Sequence, residues 1–279
     1  MKLLALSPHL DDAVFSAGAL LAALSREGHD VAVATCFTKS VRRPVGFALA
    51  CQTDKGHGPD VDYMALRREE DARACRLLGL GYAHWPLLEA PHRGYETAAA
   101  LFAGVRADDA AVVGALAQNL RDALGVYRPD VVLYPLGIGD HVDHLQVIAA
   151  VTRVREAGEG RSVRWLQWFD QPYLARHSGR YEQVLAKARP AARLSDVQDA
   201  GADYVFDFGA DATNGGAAIG PEALSQNRRF AQAKHAACAA YVSQVGYQFF
   251  EVDGLPVAPE REWGRRIGAV VGSREWLRA

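Results

Sequence analysis

One polar loop, which separates a predicted strand from a predicted helix, constrains the fold of this chain more than any other segment. Residues 3–6 form an apolar run that predicts a short buried strand, and residues 13–26 carry apolar side chains at helical spacing. The loop between them, SPHLDD at residues 7–12, holds one imidazole and two adjacent carboxylates. In an open α/β sheet, ligands bind outside the carboxyl ends of the strands, where this loop is expected. Histidine and aspartate together suit zinc.

A second loop lies in the same setting further along the chain. Residues 131–134 predict another buried strand, and a helical pattern of apolar residues begins at Leu145. The loop between them contains two histidines, each next to or near an aspartate. Because both loops leave the same edge of the predicted sheet, we expect His9, Asp12 and His144 to meet there. A water would fill the open fourth position of a catalytic zinc site.

The two motifs, His-x-Asp-Asp at 9–12 and His-x-Asp-His at 141–144, resemble those of a known family. It is the PIG-L (LmbE-like) family of zinc-dependent N-acetylglucosaminyl deacetylases. The resemblance implies that His9, Asp12 and His144 bind one Zn²⁺ per chain. It also implies a hydrolase whose substrate is a small molecule, an N-acetylated amino sugar or glycoconjugate.

The resemblance assigns different roles to the remaining residues of the motifs. Asp11 would be the general base, which takes a proton from the attacking water and passes it to the leaving amine. His141 would face the developing oxyanion. Asp143 would not bind the metal but would orient a histidine by contacting it from outside the metal site. A protonated His141 held by an acid such as Asp143 would stabilise the oxyanion by about 3 kcal/mol.

Three further residues are candidate substrate contacts. Arg67 lies near the start of a predicted helix and fits an Arg-x-x-Glu pattern that the family often shows. Its alternative role is an ion pair with Asp71 on a solvated helix face. His92 and Arg93 lie in a loop that resembles one that many relatives carry after the third strand. The alternative for His92 is an ordinary structural histidine.

The order of the predicted elements indicates the fold class. Strand, helix and strand at this spacing form a βαβ unit, which requires a parallel sheet. The family resemblance likewise implies a Rossmann-like three-layer α/β fold with a mostly parallel sheet. We expect a single domain over residues 1–279, with a core at 1–175 that contains both motifs and strand and helix additions at 176–279. Within the additions, residues 204–208 alternate like an edge strand.

Composition narrows the choice of partners and compartment. The net charge of −2, from 31 basic and 33 acidic residues, does not suggest a nucleic-acid or membrane partner. No stretch is long and apolar enough to span a bilayer, and the N-terminus does not resemble a signal peptide. The four cysteines show no paired spacing and are expected to be free thiols in a reducing cytoplasm. The sequence leaves open whether the chain forms a homo-oligomer.

The segment at residues 39–62 has no sustained periodicity. It leaves a strand at the carboxyl edge of the predicted sheet, so we expect a long, mobile loop that borders the mouth of the site. The alternative is a surface insertion without a role.

Other functions compete with a deacetylase. Each aspartate of the first loop could simply cap the following helix. A metal-dependent phosphoesterase also uses His/Asp clusters, but a two-metal site needs more ligands than these motifs supply. A Rossmann-type oxidoreductase would need a Gly-x-Gly-x-x-Gly motif after the first strand, which is absent from residues 7–18. A non-catalytic sugar-binding protein of the same fold would have lost its ligands or base, and all are present here.

Overall fold

The computed structural model describes residues 1–208, 213–214, 217–218, 221–248 and 274–279. Its strands are β1 Lys2–Ser7, β2 Asp30–Thr35, β3 Gly81–His84, β4 Val131–Pro135, β5 Arg164–Trp168, β6 Arg189–Pro190, β7 Asp203–Asp207, β8 Thr213–Asn214, β9 Ala217–Ala218 and β10 Arg274–Arg278. Its helices are α1 Asp12–Arg26, α2 Gly46–Thr53, α3 Tyr63–Leu78, α4 Ala111–Tyr127, α5 Val142–Glu156, α6 Tyr173–Arg176, α7 Ser178–Lys187, α8 Pro221–Cys238 and α9 Val242–Gln248. Short 3-10 turns include Ala90–Arg93.

The main sheet has the strand order β3-β2-β1-β4-β5-β10-β7-β6. β1 pairs in parallel with both β2 and β4, whereas β10 is antiparallel to β5 and β7. The chain therefore adds strands in one direction from β1 to β3, and then continues on the other side of β1 with β4. This reversal is the switch point at which ligands bind in doubly wound sheets.

Alternating residues of the central strands pack into two separate apolar cores. Leu3 and Ala5 of β1 face one core with α1 and α8, while Leu4 and Leu6 face the other with α4 and α5. Helices thus cover both faces, as the near-continuous apolar strands require. The predicted three-layer α/β fold with a mostly parallel sheet is confirmed.

Two sequence expectations about individual segments are wrong. Residues 203–207 form a strand, but β7 lies between β10 and β6 and is not at the edge. Residues 39–62 are not without structure, because they contain α2, which packs against the 3-10 turn Ala90–Arg93 at the carboxyl edge of the sheet. The mobility of this segment stays a prediction.

The C-terminal part of the chain completes the same sheet, since β6, β7 and β10 all belong to it. The division into a 1–175 core and 176–279 additions stays a prediction, and part of the second range lies outside the described residues. All four cysteines are free thiols. Among the described residues, no helix has the length and apolar character needed to cross a membrane.

Helix α1 consists of two segments joined at Ala17, whose backbone angles (φ −135°, ψ 16°) are not helical. The second segment begins with backbone N–H groups that the kink releases from the helical ladder. Those of Ala19 and Leu20 each donate to the Glu275 carboxylate of β10 at 2.8 Å. Lys234 of α8 pairs with the same carboxylate at 2.6 Å, and both charged side chains are buried.

Candidate active site

The hydroxyl of Ser7, rather than the carboxylate of Asp11, caps the start of α1. Ser7 Oγ accepts a hydrogen bond from the backbone N–H of Ala13 at 3.0 Å and donates one to the carbonyl of His9 at 2.6 Å. Asp11 makes no capping bond with its side chain. Its Oδ2 is buried and lacks a hydrogen-bond partner among the described residues. The alternative that Asp11 is a helix cap is therefore wrong, and its carboxylate is available for chemistry.

Asp12 lies between two imidazoles that come from different loops. Its Oδ2 is 3.1 Å from His9 Nδ1 and 3.2 Å from His144 Nε2. The ligand atoms of a tetrahedral zinc, each about 2.0–2.1 Å from the ion, are about 3.3–3.4 Å apart. His144 Nε2 is buried and forms no hydrogen bond within the described residues. These spacings and this unused nitrogen fit a zinc-sized ion held by His9, Asp12 and His144.

The outer nitrogen of each of these imidazoles meets a buried carboxylate. His9 Nε2 donates to Asp143 Oδ2 at 2.9 Å, and His144 Nδ1 donates to Asp170 Oδ1 at 2.7 Å. Carboxylate partners of this kind fix the tautomer and ring orientation of metal-binding histidines. Although burial alone lowers it, the carboxylates of Asp12 and Asp170 raise the pKa of His144 to about 9. The carboxylates around His144 therefore favour positive charge at its ring.

Asp170 was missed as a site residue by sequence reasoning. It follows β5, the neighbour of β4, and its Oδ2 accepts the backbone N–H groups of Gly137 and Ile138 at 2.8 and 3.0 Å. It thereby fixes the second loop as well as His144. The available signal was its position at the carboxyl end of a predicted strand, in an Asp-x-Pro-Tyr segment that resembles a family element.

His141 is the third imidazole of the cluster. The candidate ligand atoms of His9, His141 and His144 lie within 4.8 Å of one another. His141 is the N-cap residue of α5, and its Nδ1 accepts the backbone N–H of Asp143 at 3.2 Å. A neutral His141 therefore carries its proton on Nε2. Burial, assisted by the charge of His9, lowers the pKa of His141 to about 3, so the ring is neutral.

The carboxylate of Asp143 is directed at His9 and not at His141. Its Oδ2 also accepts the backbone N–H of Ala90 at 3.0 Å. Burial would raise the pKa of Asp143, but the hydrogen bond and charge of His9, with the charge of Arg93, hold it well below its usual range. The expectation that Asp143 holds a protonated His141 is therefore wrong, because His141 meets the backbone of Asp143 and is neutral.

The buried carboxyl of Asp11 has electrostatic properties that suit proton transfer. Burial and the negative charge of Asp12 raise the pKa of Asp11 to about 7, against the opposing charges of Arg67, His9 and Lys55. A carboxyl group with a pKa near neutrality can both accept and release a proton during turnover. Asp11 and Asp12 are thus adjacent in the chain but have different environments.

Arg67 is buried beside this cluster rather than on a solvated helix face. It is 4% exposed, pairs with Glu89 and lies over the Tyr63 ring, 5.6 Å from its centroid. Asp71, the partner in the alternative explanation, instead meets the Tyr241 hydroxyl at 2.7 Å. Because Arg67 Nε is buried without a hydrogen-bond partner among the described residues, a polar ligand group could bind it.

Arg93 and His92 occupy different places, although they are neighbours in the chain. The guanidinium of Arg93 lies behind Asp143 and binds its Oδ1 at 2.7 Å. This position favours support of the ligand layer over the substrate contact that the sequence suggested. His92 is half-buried and lines a small cavity with Cys51 and Glu89. The structure does not bring it into the histidine cluster.

The fold and site together define a doubly wound α/β protein with a candidate metal centre at the switch point of its sheet. Residues 4–155, which contain both motifs, match the PIG-L family model, described as GlcNAc-PI de-N-acetylase. A 2'-N-acetylparomamine deacetylase of Streptomyces fradiae is 35% identical over 204 residues, which is 72% of this chain and 68% of that protein. The chain belongs to the PIG-L family.

Solved structures of related deacetylases match nearly the whole chain. Teicoplanin deacetylase, solved in a zinc-inhibited form, has a TM-score of 0.68 at 26% identity, with 99% of this chain and 97% of that chain covered. The A40926 pseudoaglycone deacetylase has a TM-score of 0.63 at 26% identity, with 99% and 95% covered. The similarity therefore extends well beyond the residues that the family model matches.

Proposed function

We propose that this protein is a zinc-dependent N-deacetylase that removes the acetyl group from an N-acetylated amino sugar in a small molecule or glycoconjugate. One observation carries the proposal: Asp12 Oδ2 lies within 3.2 Å of a nitrogen of both His9 and His144. Next to it after β1, Asp11 has a carboxylate oxygen without a hydrogen-bond partner among the described residues. Family membership supports the reaction class. The relatives that act on 2'-N-acetylparomamine, teicoplanin and the A40926 pseudoaglycone support an amino-sugar substrate.

The ligands that we propose for one zinc ion per chain are His9, Asp12 and His144. Zinc in such a site polarises a carbonyl and acidifies water. Asp143 and Asp170 hold the two imidazoles in the tautomer that leaves their inner nitrogens unprotonated. The two outer hydrogen bonds, from His9 to Asp143 and from His144 to Asp170, are present in the protein alone.

Asp11 is the proposed general base. It takes the proton of the water that attacks the acetyl carbon, and then gives a proton to the amine nitrogen as the C–N bond breaks, so that acetate and a free amine leave. His141 donates from Nε2 to the oxyanion as a neutral imidazole. Donors of this kind stabilise the transition state because they are already oriented before the reaction.

Arg67 is the proposed substrate contact with the strongest structural support. Its buried Nε has no partner among the described residues, and its charge acts on Asp11. A sugar hydroxyl is a suitable ligand, since it can accept a hydrogen bond from a guanidinium. His92 could contribute only from the cavity beside α2, at the border of the site.

The experiment that tests the function compares the two neighbouring aspartates in zinc-loaded protein. We expect the wild type to release acetate and amine in equal amounts from members of a panel of N-acetylated amino sugars. Asp11→Asn should keep its zinc and lose about 10²–10⁴ in kcat, whereas Asp12→Ala should lose zinc and activity together. The measurements are metal content and turnover for each variant.

Two results would contradict the proposal. Loss of zinc from Asp11→Asn with retention in Asp12→Ala would reverse the two roles. Hydrolysis of phosphate esters, with all N-acetyl groups left intact, would favour the phosphoesterase instead. Within the described part of the chain, the one group of three potential ligands close enough to hold an ion is His9, His141 and His144, at this same cluster, which favours a single-metal enzyme.

A further inference from the structure

A chain of hydrogen bonds extends from His9 away from the proposed metal position and into the loop before α4. Its members, in order, are Asp143, Arg93 and Asp109, with Gln146 of α5 beside the last two. Asp143 and Gln146 are fully buried, and Asp109 and Arg93 are less than a tenth exposed at their side chains. The mechanism proposed above uses Asp143 but does not account for the other three.

The two oxygens of Asp143 have separate partners. Oδ2 accepts from His9 Nε2 at 2.9 Å and from the Ala90 backbone, while Oδ1 accepts from Arg93 Nη2 at 2.7 Å. The plane of the carboxylate is therefore fixed from both sides. Because an ionised Oδ2 can only accept, this hydrogen bond places a proton on His9 Nε2 and leaves Nδ1 to face the position beside Asp12.

The guanidinium of Arg93 is itself held in place by acceptors from two further residues. Its Nε is 2.9 Å from Asp109 Oδ1, and its Nη2 is 2.9 Å from Asp109 Oδ2 and 2.7 Å from Gln146 Oε1. Gln146 Nε2 in turn donates to Asp109 Oδ2 at 2.7 Å. The face of the guanidinium lies over the Phe37 ring at 4.9 Å. Such a forked geometry suits arginine and no other cation.

We propose that Arg93, Asp109 and Gln146 are positioning residues, which set the orientation and tautomer of His9 through Asp143 and thereby the affinity for the metal. This inference deepens the proposed function, because it depends on a metal at the His/Asp cluster. It does not depend on the substrate. Arg93 acts on the reaction through two other residues and does not touch the reacting atoms.

The chain offers a matched control in the adjacent residue. Asp108 forms an ion pair with Arg106, but its side chain is 67% exposed and the pair lies on the surface of the same loop. Asp108 and Asp109 therefore have the same side chain and lie in the same loop. They differ in burial and in the arginine with which each forms an ion pair. Replacement of either by asparagine changes the charge of the protein equally.

The test measures zinc affinity by competition with a chelator for the wild type, Asp109→Asn and Asp108→Asn. An amide in place of Asp109 presents N–H groups to the Arg93 fork and breaks its paired hydrogen bonds. We expect zinc affinity to fall about 10-fold in Asp109→Asn, at the low end of the effect of outer carboxylates on metal sites. Asp108→Asn should match the wild type.

A second measurement distinguishes positioning from a general loss of structure. The visible absorption of the cobalt(II)-loaded protein reports ligand geometry, so it should change in Asp109→Asn and stay unchanged in Asp108→Asn. If Asp109→Asn does not fold, Arg93→Lys keeps the charge but loses the fork, and it should show the same weaker binding and altered spectrum. If Asp109→Asn has the zinc affinity and the cobalt spectrum of the wild type, the proposed positioning role is wrong. Tight zinc binding without any deacetylation would instead overturn the proposed function alone.

Discussion

Asp170 controls two parts of the candidate site through its two carboxylate oxygens. Oδ1 accepts from His144 Nδ1, and Oδ2 accepts two backbone N–H groups of the second loop. A carboxylate with this many donors is rigid as well as charged. Asp170 thereby orients the imidazole of His144, which the metal would bind.

We predict that Asp170→Asn weakens zinc binding about 10–100-fold. The amide cannot accept at both positions, so either His144 or the Gly137 backbone loses its partner. The measurement is chelator competition, with Asp140→Asn as the control. Asp140 is exposed and has a positive φ of 61°, which asparagine tolerates. Equal affinities in the two variants would contradict the role of Asp170.

The residues of the site differ in how far the sequence could reveal them. His9, Asp12 and His144 were predictable because they follow strands at one sheet edge, and the structure brings them together. Asp170 had a signal in its position after a predicted strand, but its partner His144 is 26 residues away in the chain. The role of Asp109 had no signal, because its partner Arg93 is 16 residues away and only tertiary packing brings the two together. Arg93 was identified as a candidate substrate contact, which stays a prediction, and its hydrogen bond to Asp143 was not foreseen because a motif does not show where a guanidinium points.

At the scale of elements, the kink in α1 is stabilised by a strand that is remote in sequence. Glu275 of β10 accepts the N–H groups of Ala19 and Leu20, where the second helical segment begins. Negative charge at a helix start is favourable. The ammonium of Lys234 compensates the burial of the Glu275 carboxylate. Residues 13–26 read as one continuous helix in the sequence, since neither the break at Ala17 nor its distant partner has a local signal.

We predict that Glu275→Gln destabilises the protein by about 3–5 kcal/mol, because it leaves the buried ammonium of Lys234 without a countercharge. The measurement is the free energy of unfolding in urea. Arg274→Gln provides the control, since it removes an exposed ion pair with Asp207 and should cost about 1 kcal/mol or less. The idea fails if both variants unfold at the same urea concentration. The double variant Lys234→Met, Glu275→Gln should recover part of the loss.

At the scale of the whole molecule, the proposed metal would join two separate halves of the sheet. His9 and Asp12 follow β1, and His144 belongs to the unit that starts with β4, on the other side of the switch point. A ligand that binds the folded state in this way stabilises it by mass action.

We therefore predict that zinc raises the melting temperature. At a free zinc concentration 1,000 times the dissociation constant, the gain in unfolding free energy should be about 4 kcal/mol. Thermal unfolding with and without a chelator provides the measurement, and His144→Ala should lose the difference. Identical melting temperatures for the chelated and zinc-loaded wild type would argue against a metal in this position.

Only part of the sheet architecture could be predicted from the sequence. Consecutive strand and helix patterns were sufficient to predict a parallel sheet, because each βαβ unit is local, and the family resemblance added the three-layer arrangement. The antiparallel insertion of β10 between β5 and β7 was not predictable. It pairs Leu277 with Trp168 and with Tyr204, and short apolar runs do not specify such distant partners.

The cap that Glu275 places on α1 has a consequence for synthesis on the ribosome. Ala19 emerges early, yet the carboxylate that accepts its N–H is translated 256 residues later. Until then the N–H groups of Ala19 and Leu20 lack this acceptor. The cap at the bend of α1 can therefore form only after β10 has been translated.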